Sequence, residues 1–335
     1  MSPLDMTAAP GAGTETKVVL EAENLGVALP IDGKYVPITT DVSFSVRRGE
    51  AVALVGESGC GKSMTASAIM GLPPRGAKVT GRLRINGRDV LDLSPKRRRA
   101  LCGSEIGFIF QEPMTALHPT LRIGRQMTDT LCHNLGLSRS AAMTRAAELL
   151  DLVGIPRPKD ILKGYVHQLS GGMRQRVMIA LALSCDPSLV IADEPTTALD
   201  VTIQAQVLDL MEKMRREFDV AMLFITHDLE VVGDFCDRAV VMYAGDVVET
   251  ATAAEVTRAP HHPYTRGLID AVPGTGLERL VPIGGSVPQI GAWPEGCRFA
   301  PRCSRATEKC AIRPPLEGAP MPDVRCWHPL TEERT

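Results

Sequence analysis

The chain has 335 residues, 44% apolar and 23% charged, enough to bury a sizeable core in one large domain or two smaller ones. Its 37 basic and 39 acidic residues give a formal net charge of −2, without the basic excess of a nucleic-acid binder. Its unbroken apolar runs, Val177 to Leu183 among the longest, fall well short of the roughly 20 residues of a membrane span.

Residues 1–16 have neither the basic start nor the apolar stretch of a secretory signal. They read as a flexible tail, and the chain is expected to stay in the cytoplasm. Val18–Glu21 and Val42–Val46 have strand character, the second alternating Val-Ser-Phe-Ser-Val at the period of a half-buried strand. Ala51–Val55 is continuously apolar, as a strand buried on both faces of a mainly parallel sheet should be. It runs into Gly56-Glu57-Ser58-Gly59-Cys60-Gly61-Lys62-Ser63, which fits the phosphate-loop pattern G-x-x-x-x-G-K-[ST], and then into a helix near Ser63–Met70.

That context gives each residue of the loop a task. Gly56, Gly59 and Gly61 let backbone N–H groups, with those of Ser58, Cys60 and Met64, turn toward phosphate oxygens at a helix N-terminus. Lys62 supplies a full charge for the β- and γ-phosphates, and the Ser63 hydroxyl is placed to ligate Mg²⁺. The expected ligand is therefore ATP with Mg²⁺.

Val79–Asn86 and Ile106–Phe110 read as further strands, and the basic run Lys96–Arg99 as a solvated helix face. From about Glu112 to Cys185 helical patterns take over, for example Ala141–Val153, as in a helical insertion within an α/β domain. The sheet resumes with Leu189–Ala192, whose end delivers Asp193 and Glu194 where open α/β sheets bind ligands. Asp193 suits the Mg²⁺ shell, and Glu194 can polarise an attacking water. A helix over about Val201–Phe218, a strand Met222–Thr226 and a hairpin Arg238–Val248 turning at Ala244-Gly245-Asp246 complete the core. After Pro260, Pro and Gly become frequent, and residues 260–335 read as a loop-rich extension that the core does not require.

A third motif narrows the class. Leu169-Ser170-Gly171-Gly172-Met173-Arg174-Gln175-Arg176, ahead of an apolar helix, resembles the signature motif of ABC ATPases. Ser170, Gly171 and Gly172 at a helix N-terminus form a second phosphate-binding surface, redundant within one subunit. It makes sense if two subunits face each other head to tail, which is the arrangement the resemblance implies. Other elements of the family follow in order. Gln111 resembles the Q-loop, which touches Mg²⁺ and faces the membrane subunits. Thr197-Ala198-Leu199-Asp200 resembles the D-loop that links the two sites. His227 resembles the switch histidine at the γ-phosphate. Glu194, His227 and Gln111 are thus the implied catalytic set. The aromatic residue that usually stacks on adenine is missing where Leu29 stands, and Tyr35 is the nearby substitute.

Gln111 to Leu117, Asp193 to Gln206 and His262-Pro263-Tyr264-Thr265-Arg266 resemble more closely the ATP-binding subunits of dipeptide and oligopeptide importers; His118 replaces the usual Asn. The resemblance implies a P-loop ATPase of mixed sheet over residues 17–259, a helical subdomain over about 112–185, and an extension over 260–335. It also implies a paralogous ATPase subunit, two transmembrane permease subunits, an external substrate-binding protein, no nucleic acid, and a peripheral place on the cytoplasmic face of the bacterial inner membrane. Nickel, glutathione or another small solute are alternative cargoes. Soluble ABC ATPases of DNA repair or chromosome maintenance carry longer insertions before the signature, and those acting on ribosomes normally carry two ATPase halves.

Of nine cysteines, four (Cys297, Cys303, Cys310 and Cys326) crowd the C-terminal extension at spacings C-x5-C, C-x6-C and C-x15-C. In a reducing compartment such a group points to a metal rather than to disulfides. Four thiolates suit a 4Fe–4S cluster and equally a zinc ion, with His328 a possible zinc ligand. The importer resemblance favours iron–sulfur in a stapling role over zinc or no metal at all.

Overall fold

The computed structural model describes residues 17–197, 199–271, 282–318 and 322–330. The expected tail over 1–16 and Ala198 of the D-loop motif lie outside them. In chain order the elements begin with β1 (Val18–Ile31), β2 (Lys34–Arg47), β3 (Ala51–Val55), α1 (Lys62–Ile69), β4 (Lys78–Ile85), β5 (Arg88–Asp89), α2 (Pro95–Leu101) and β6 (Ile106–Ile109). A helical run follows: α3 (Pro113–Ala116), α4 (Ile123–Leu135), α5 (Arg139–Leu152), α6 (Pro158–Ile161) and α7 (Gly171–Leu183). Then come β7 (Leu189–Asp193), α8 (Val201–Phe218), β8 (Ala221–Thr226), α9 (Leu229–Phe235), β9 (Arg238–Tyr243), β10 (Asp246–Thr252), α10 (Ala253–Arg258), α11 (Pro263–Asp270) and β11 (Asp323–Val324).

Two sheets share the core. An antiparallel sheet runs β2-β1-β4-β5, and a mixed sheet of seven strands runs β11-β10-β9-β3-β8-β7-β6. In the second, β9, β3, β8, β7 and β6 are parallel, while β10 and β11 add antiparallel strands at one flank. Every residue of β3 is buried, as its unbroken apolar run requires. Because the strands are parallel, the C-terminal ends of β3, β8, β7 and β6 open on one rim, each about 4.8 Å from its neighbour.

The largest departure from the sequence reading is the hairpin β1–β2. Two short strands were expected, but the pair continues to a tight turn at Asp32-Gly33, with Tyr35 opposite Pro30 near its tip. The register shifts at several points along the pair, so the alternation that marks a strand is interrupted. The hairpin expected at Ala244-Gly245 forms between β9 and β10, with both turn residues at positive φ.

The extension packs on the ATPase sheet rather than beside it. Strand β11 pairs with β10 through Glu249 opposite Val324 and Thr250 opposite Asp323. Phe299 and Tyr264 are buried against Tyr243, the last residue of β9, with ring centroids 4.6 to 5.4 Å apart.

Candidate nucleotide-binding and catalytic site

The loop after β3 takes a path only glycine allows. Gly56 has φ 151°, and a Cβ there would lie 2.2 Å from the Met242 carbonyl oxygen; Gly61 has φ 105°, with Thr39 Cγ2 2.5 Å from its would-be Cβ. The loop is thus threaded between the β2 and β9 backbones, and Gly61 caps α1 in the left-handed region. Lys62 is 6% exposed, and its Nζ donates to the carbonyls of Gly56 (2.7 Å) and Glu57 (3.2 Å), curling over the loop it belongs to. Cys60 is buried beneath the loop, and burial pushes its thiol up while Lys62 partly offsets the shift.

The Ser63 hydroxyl donates to Asp193 Oδ1 at 3.4 Å, so strand β7 and helix α1 bring together the two oxygens expected at Mg²⁺. A pair of hard oxygen donors beside a phosphate loop is the donor chemistry this cation takes. The Asp193 carboxyl is pushed up by burial and by the neighbouring Glu194 charge, while Ser63 and Lys62 pull the other way.

Glu194 stands just past β7 with φ 44° and gathers three partners. Gln111 Nε2 donates to Oε2 at 3.0 Å, the Thr197 hydroxyl donates to the same oxygen at 3.0 Å, and His227 Nδ1 lies 3.2 Å from Oε1. These residues come from the ends of β6, β7 and β8. The sequence-predicted catalytic set is therefore brought together, with Thr197 as a member that motif reading had assigned only to the D-loop. Its signal was its place three residues after Glu194, one turn on.

Ser170 caps α7, its hydroxyl accepting from the Met173 N–H at 3.3 Å. Ser170 and Gly171 are exposed, and among the described residues no hydrogen bond joins Ser170 to the phosphate loop. Gln175, 1% exposed, donates to the Pro195 carbonyl at 2.7 Å and so ties the signature helix to the turn that carries Glu194. Asp200 caps α8 and is exposed, as is Val201 beside it at 85%. Tyr35 sits on the outer part of the hairpin at 59% exposure, away from Gly61, which is flanked instead by Ile38 and Thr39.

The four cysteines of the extension line one cavity with His262, Phe299 and Trp327. Among the described residues, however, no three or more His, Cys, Asp or Glu side chains gather as the ligands of a single ion. The zinc alternative, which needs four sulfurs or nitrogens within about 2.3 Å of one centre, therefore finds no ready ligand set. Burial pushes the thiols of Cys297, Cys303 and Cys326 up, the last to about 11, and the His328 N–H, which donates to Cys326 Sγ at 3.3 Å, partly offsets the shift there.

Residues 39–197 match the family model described as ABC transporter, and residues 248–310 match that described as oligopeptide/dipeptide transporter, C-terminal region. The dipeptide transport ATP-binding protein DppD of Bacillus subtilis is 49% identical, the alignment covering 87% of this chain and 88% of that protein. The oligopeptide transport ATP-binding protein OppD of Escherichia coli is 42% identical over 99% of both. This chain belongs to the ABC transporter ATP-binding proteins of the oligopeptide/dipeptide type. Members of the family are P-loop ATPases. Among solved structures, the dimeric post-hydrolysis ATP-binding cassette MJ0796, bound to ADP and Pi, superposes with a TM-score of 0.62 at 27% identity, covering 70% of this chain and 98% of that one. The matched part is the cassette itself. No helix among the described residues is long and apolar enough to cross a membrane.

Proposed function

We propose that this chain hydrolyses ATP at a seam with a second ATP-binding subunit and thereby energises import of peptides across a bacterial inner membrane. The observation that carries the chemistry is the convergence on Glu194. Its carboxylate is held by Gln111, Thr197 and His227 at the rim where the phosphate loop, Ser63 and Asp193 also end. Ser63 and Asp193 would hold Mg²⁺, which neutralises charge on the transferring phosphoryl group. Lys62 binds the β- and γ-phosphates, and Glu194 orients a water for in-line attack on the γ-phosphorus. The bond to the ADP oxygen breaks as the new P–O bond forms, and Glu194 takes up the water's proton. His227, half-exposed beside Glu194, is placed to contact the γ-phosphate.

The loop Ser170-Gly171-Gly172, exposed at its first two residues, supports the seam. It has the donor character of a phosphate site, and it is turned to solvent. A partner subunit's γ-phosphate is the ligand that explains it. Asp200 and the exposed Val201 lie on the path between the two sites. The partner proposed is a paralogous ATPase subunit, with two transmembrane permease subunits docking near Gln111 and the helical block, and an external binding protein delivering the peptide. In that assembly the chain would sit at the cytoplasmic face of the membrane. Peptide cargo is supported by the naming of the relatives as dipeptide and oligopeptide transport proteins. Reconstitution with the permease and binding protein tests it: ATP turnover stimulated by peptide-loaded binding protein is the expected result. Stimulation by nickel or glutathione instead would overturn the peptide reading.

We also propose that the four cysteines hold an iron–sulfur cluster. Support comes from their lining one cavity, where the His328 N–H donates to Cys326 Sγ at 3.3 Å. A cluster spreads its ligands over several irons, so it does not need them gathered at one centre. Such a group would contribute folding energy to a segment with little core of its own. Anaerobic purification followed by iron and acid-labile sulfide analysis decides it; zinc without iron would overturn it.

A further inference from the structure

Glu57, the second residue of the phosphate loop, puts a carboxylate beside a site built for an anion. The structure shows what restrains it. Arg302, one residue before Cys303, meets that carboxylate with a two-pronged contact: Nη1 to Oε2 at 2.8 Å and Nη2 to Oε1 at 3.1 Å. The Arg302 side chain is only 5% exposed. Its remaining hydrogens go to the carbonyls of Gly284 (2.9 Å) and Ile283 (3.3 Å) and to the Tyr243 hydroxyl (3.4 Å). All five N–H donors of the guanidinium are thus engaged, a set that an ammonium could not reproduce. The Glu57 backbone is held as well: its N–H donates to the Tyr264 hydroxyl at 2.9 Å. Tyr264, Tyr243 and Phe299 form the aromatic cluster that seats the extension on the end of β9, and the Met242 carbonyl of that strand is the floor under Gly56.

We propose that the C-terminal extension is a positioning element for the phosphate loop, with Arg302 pinning the Glu57 carboxylate away from the nucleotide's phosphates. Released from its fork, that carboxylate would be free to turn toward a polyanion of like charge, and the loop would lose one of its two tethers to the extension. The inference rests on the reading of this loop as the ATP site, and it extends that reading to residues outside every motif of the cassette.

The test is MgATP binding to the full chain, by calorimetry or fluorescent-nucleotide titration at low and high salt, with circular dichroism to confirm folding. Arg302→Gln is expected to weaken MgATP about tenfold at low salt, and less at high salt where like charges are screened. Glu57→Gln added to Arg302→Gln is expected to recover most of the loss, which a merely structural role for Arg302 would not do. Unchanged affinity in Arg302→Gln, or a double variant as weak as the single, would overturn the proposal. Should Arg302→Gln not fold, Arg302→Lys keeps the charge and loses the fork. About threefold weaker binding is then expected, and wild-type affinity would overturn the proposal. A wild-type chain that binds no MgATP would instead overturn the ATP-site reading itself, and this inference with it.

Discussion

Gln111 and Glu194 stand 83 positions apart in the chain, yet the Gln111 amide donates to the Glu194 carboxylate at 3.0 Å. The contact spans the ends of β6 and β7, which are paired in register from Ile106 opposite Leu189 to Ile109 opposite Ala192. Under the proposed mechanism, Gln111 would link the Glu194 carboxylate to the helical block that follows it. Gln111→Ala is expected to lower ATP turnover by about tenfold, by losing one charge-assisted hydrogen bond, while leaving nucleotide affinity near wild type. Steady-state turnover measured beside equilibrium nucleotide titration would separate the two effects.

Glu194 is the residue on which three hydrogen-bonding partners converge, so its replacement should have the larger effect. Glu194→Gln keeps the shape and the bond from Thr197 but removes the proton acceptor. Turnover should fall by about 10² to 10⁴, with MgATP binding retained. Near-normal hydrolysis in this variant would remove Glu194 from the role of general base.

Ser170 offers a test of the seam. Its hydroxyl caps α7 through the Met173 N–H, so Ser170→Ala should lower stability by about 1 kcal/mol, visible in thermal melts. Ser170→Arg places a bulky side chain on the surface offered to a partner. It should leave nucleotide binding by the isolated chain within about twofold of wild type and cut turnover of the assembled transporter by more than about a hundredfold. Equal turnover in the assembled complex would count against a shared site.

His262 sets a dependence on pH. It is 1% exposed and caps α11, its Nδ1 accepting the Tyr264 N–H at 3.0 Å. Burial holds its pKa at about 3 against an ordinary 6.5, with the Arg325 backbone acting weakly the other way. Above pH 6.5 the imidazole is neutral in both the folded and unfolded chains, and the stabilisation is fully present. As pH falls below 6.5 the unfolded chain takes up a proton that the folded one refuses, and stability is lost at roughly 1.4 kcal/mol per pH unit until the folded value is reached. Urea unfolding at pH 7.5 and pH 5.5 should show this loss in wild type. His262→Asn, which keeps the cap and does not titrate, should lack this share of it.

Much of the site was legible because its parts are local. The phosphate loop, Asp193-Glu194 and the signature each combine a short residue pattern with a strand or helix recognisable from its own period. The parts that escaped are those whose partners lie far along the chain. Gln175 is fixed by a carbonyl twenty positions away; Thr197, only three residues after Glu194, is the exception, because its place in the D-loop pattern hid its contact with that carboxylate. The bond between Glu57 and Arg302 joins residues 245 apart, and no spacing rule anticipates it. The long hairpin β1–β2 was missed for a different reason. Its register shifts, with Pro30 and Pro37 on the two strands, break the alternation from which a strand is read. The cysteines were recognisable as a group, but spacing alone is silent on how the chain wraps them around one cavity.

The two-residue strand β11 has a consequence for how copies of the protein meet. A sheet flank left bare is a template on which a second chain can add its own strand. Here Asp323 and Val324 occupy part of that flank, and the Arg325 N–H continues onto the Val248 carbonyl. Outward growth of the sheet is thereby blunted by a segment of the same chain. Under the proposed pairing, the rim of loops where the parallel strands end is then the surface that meets a second subunit.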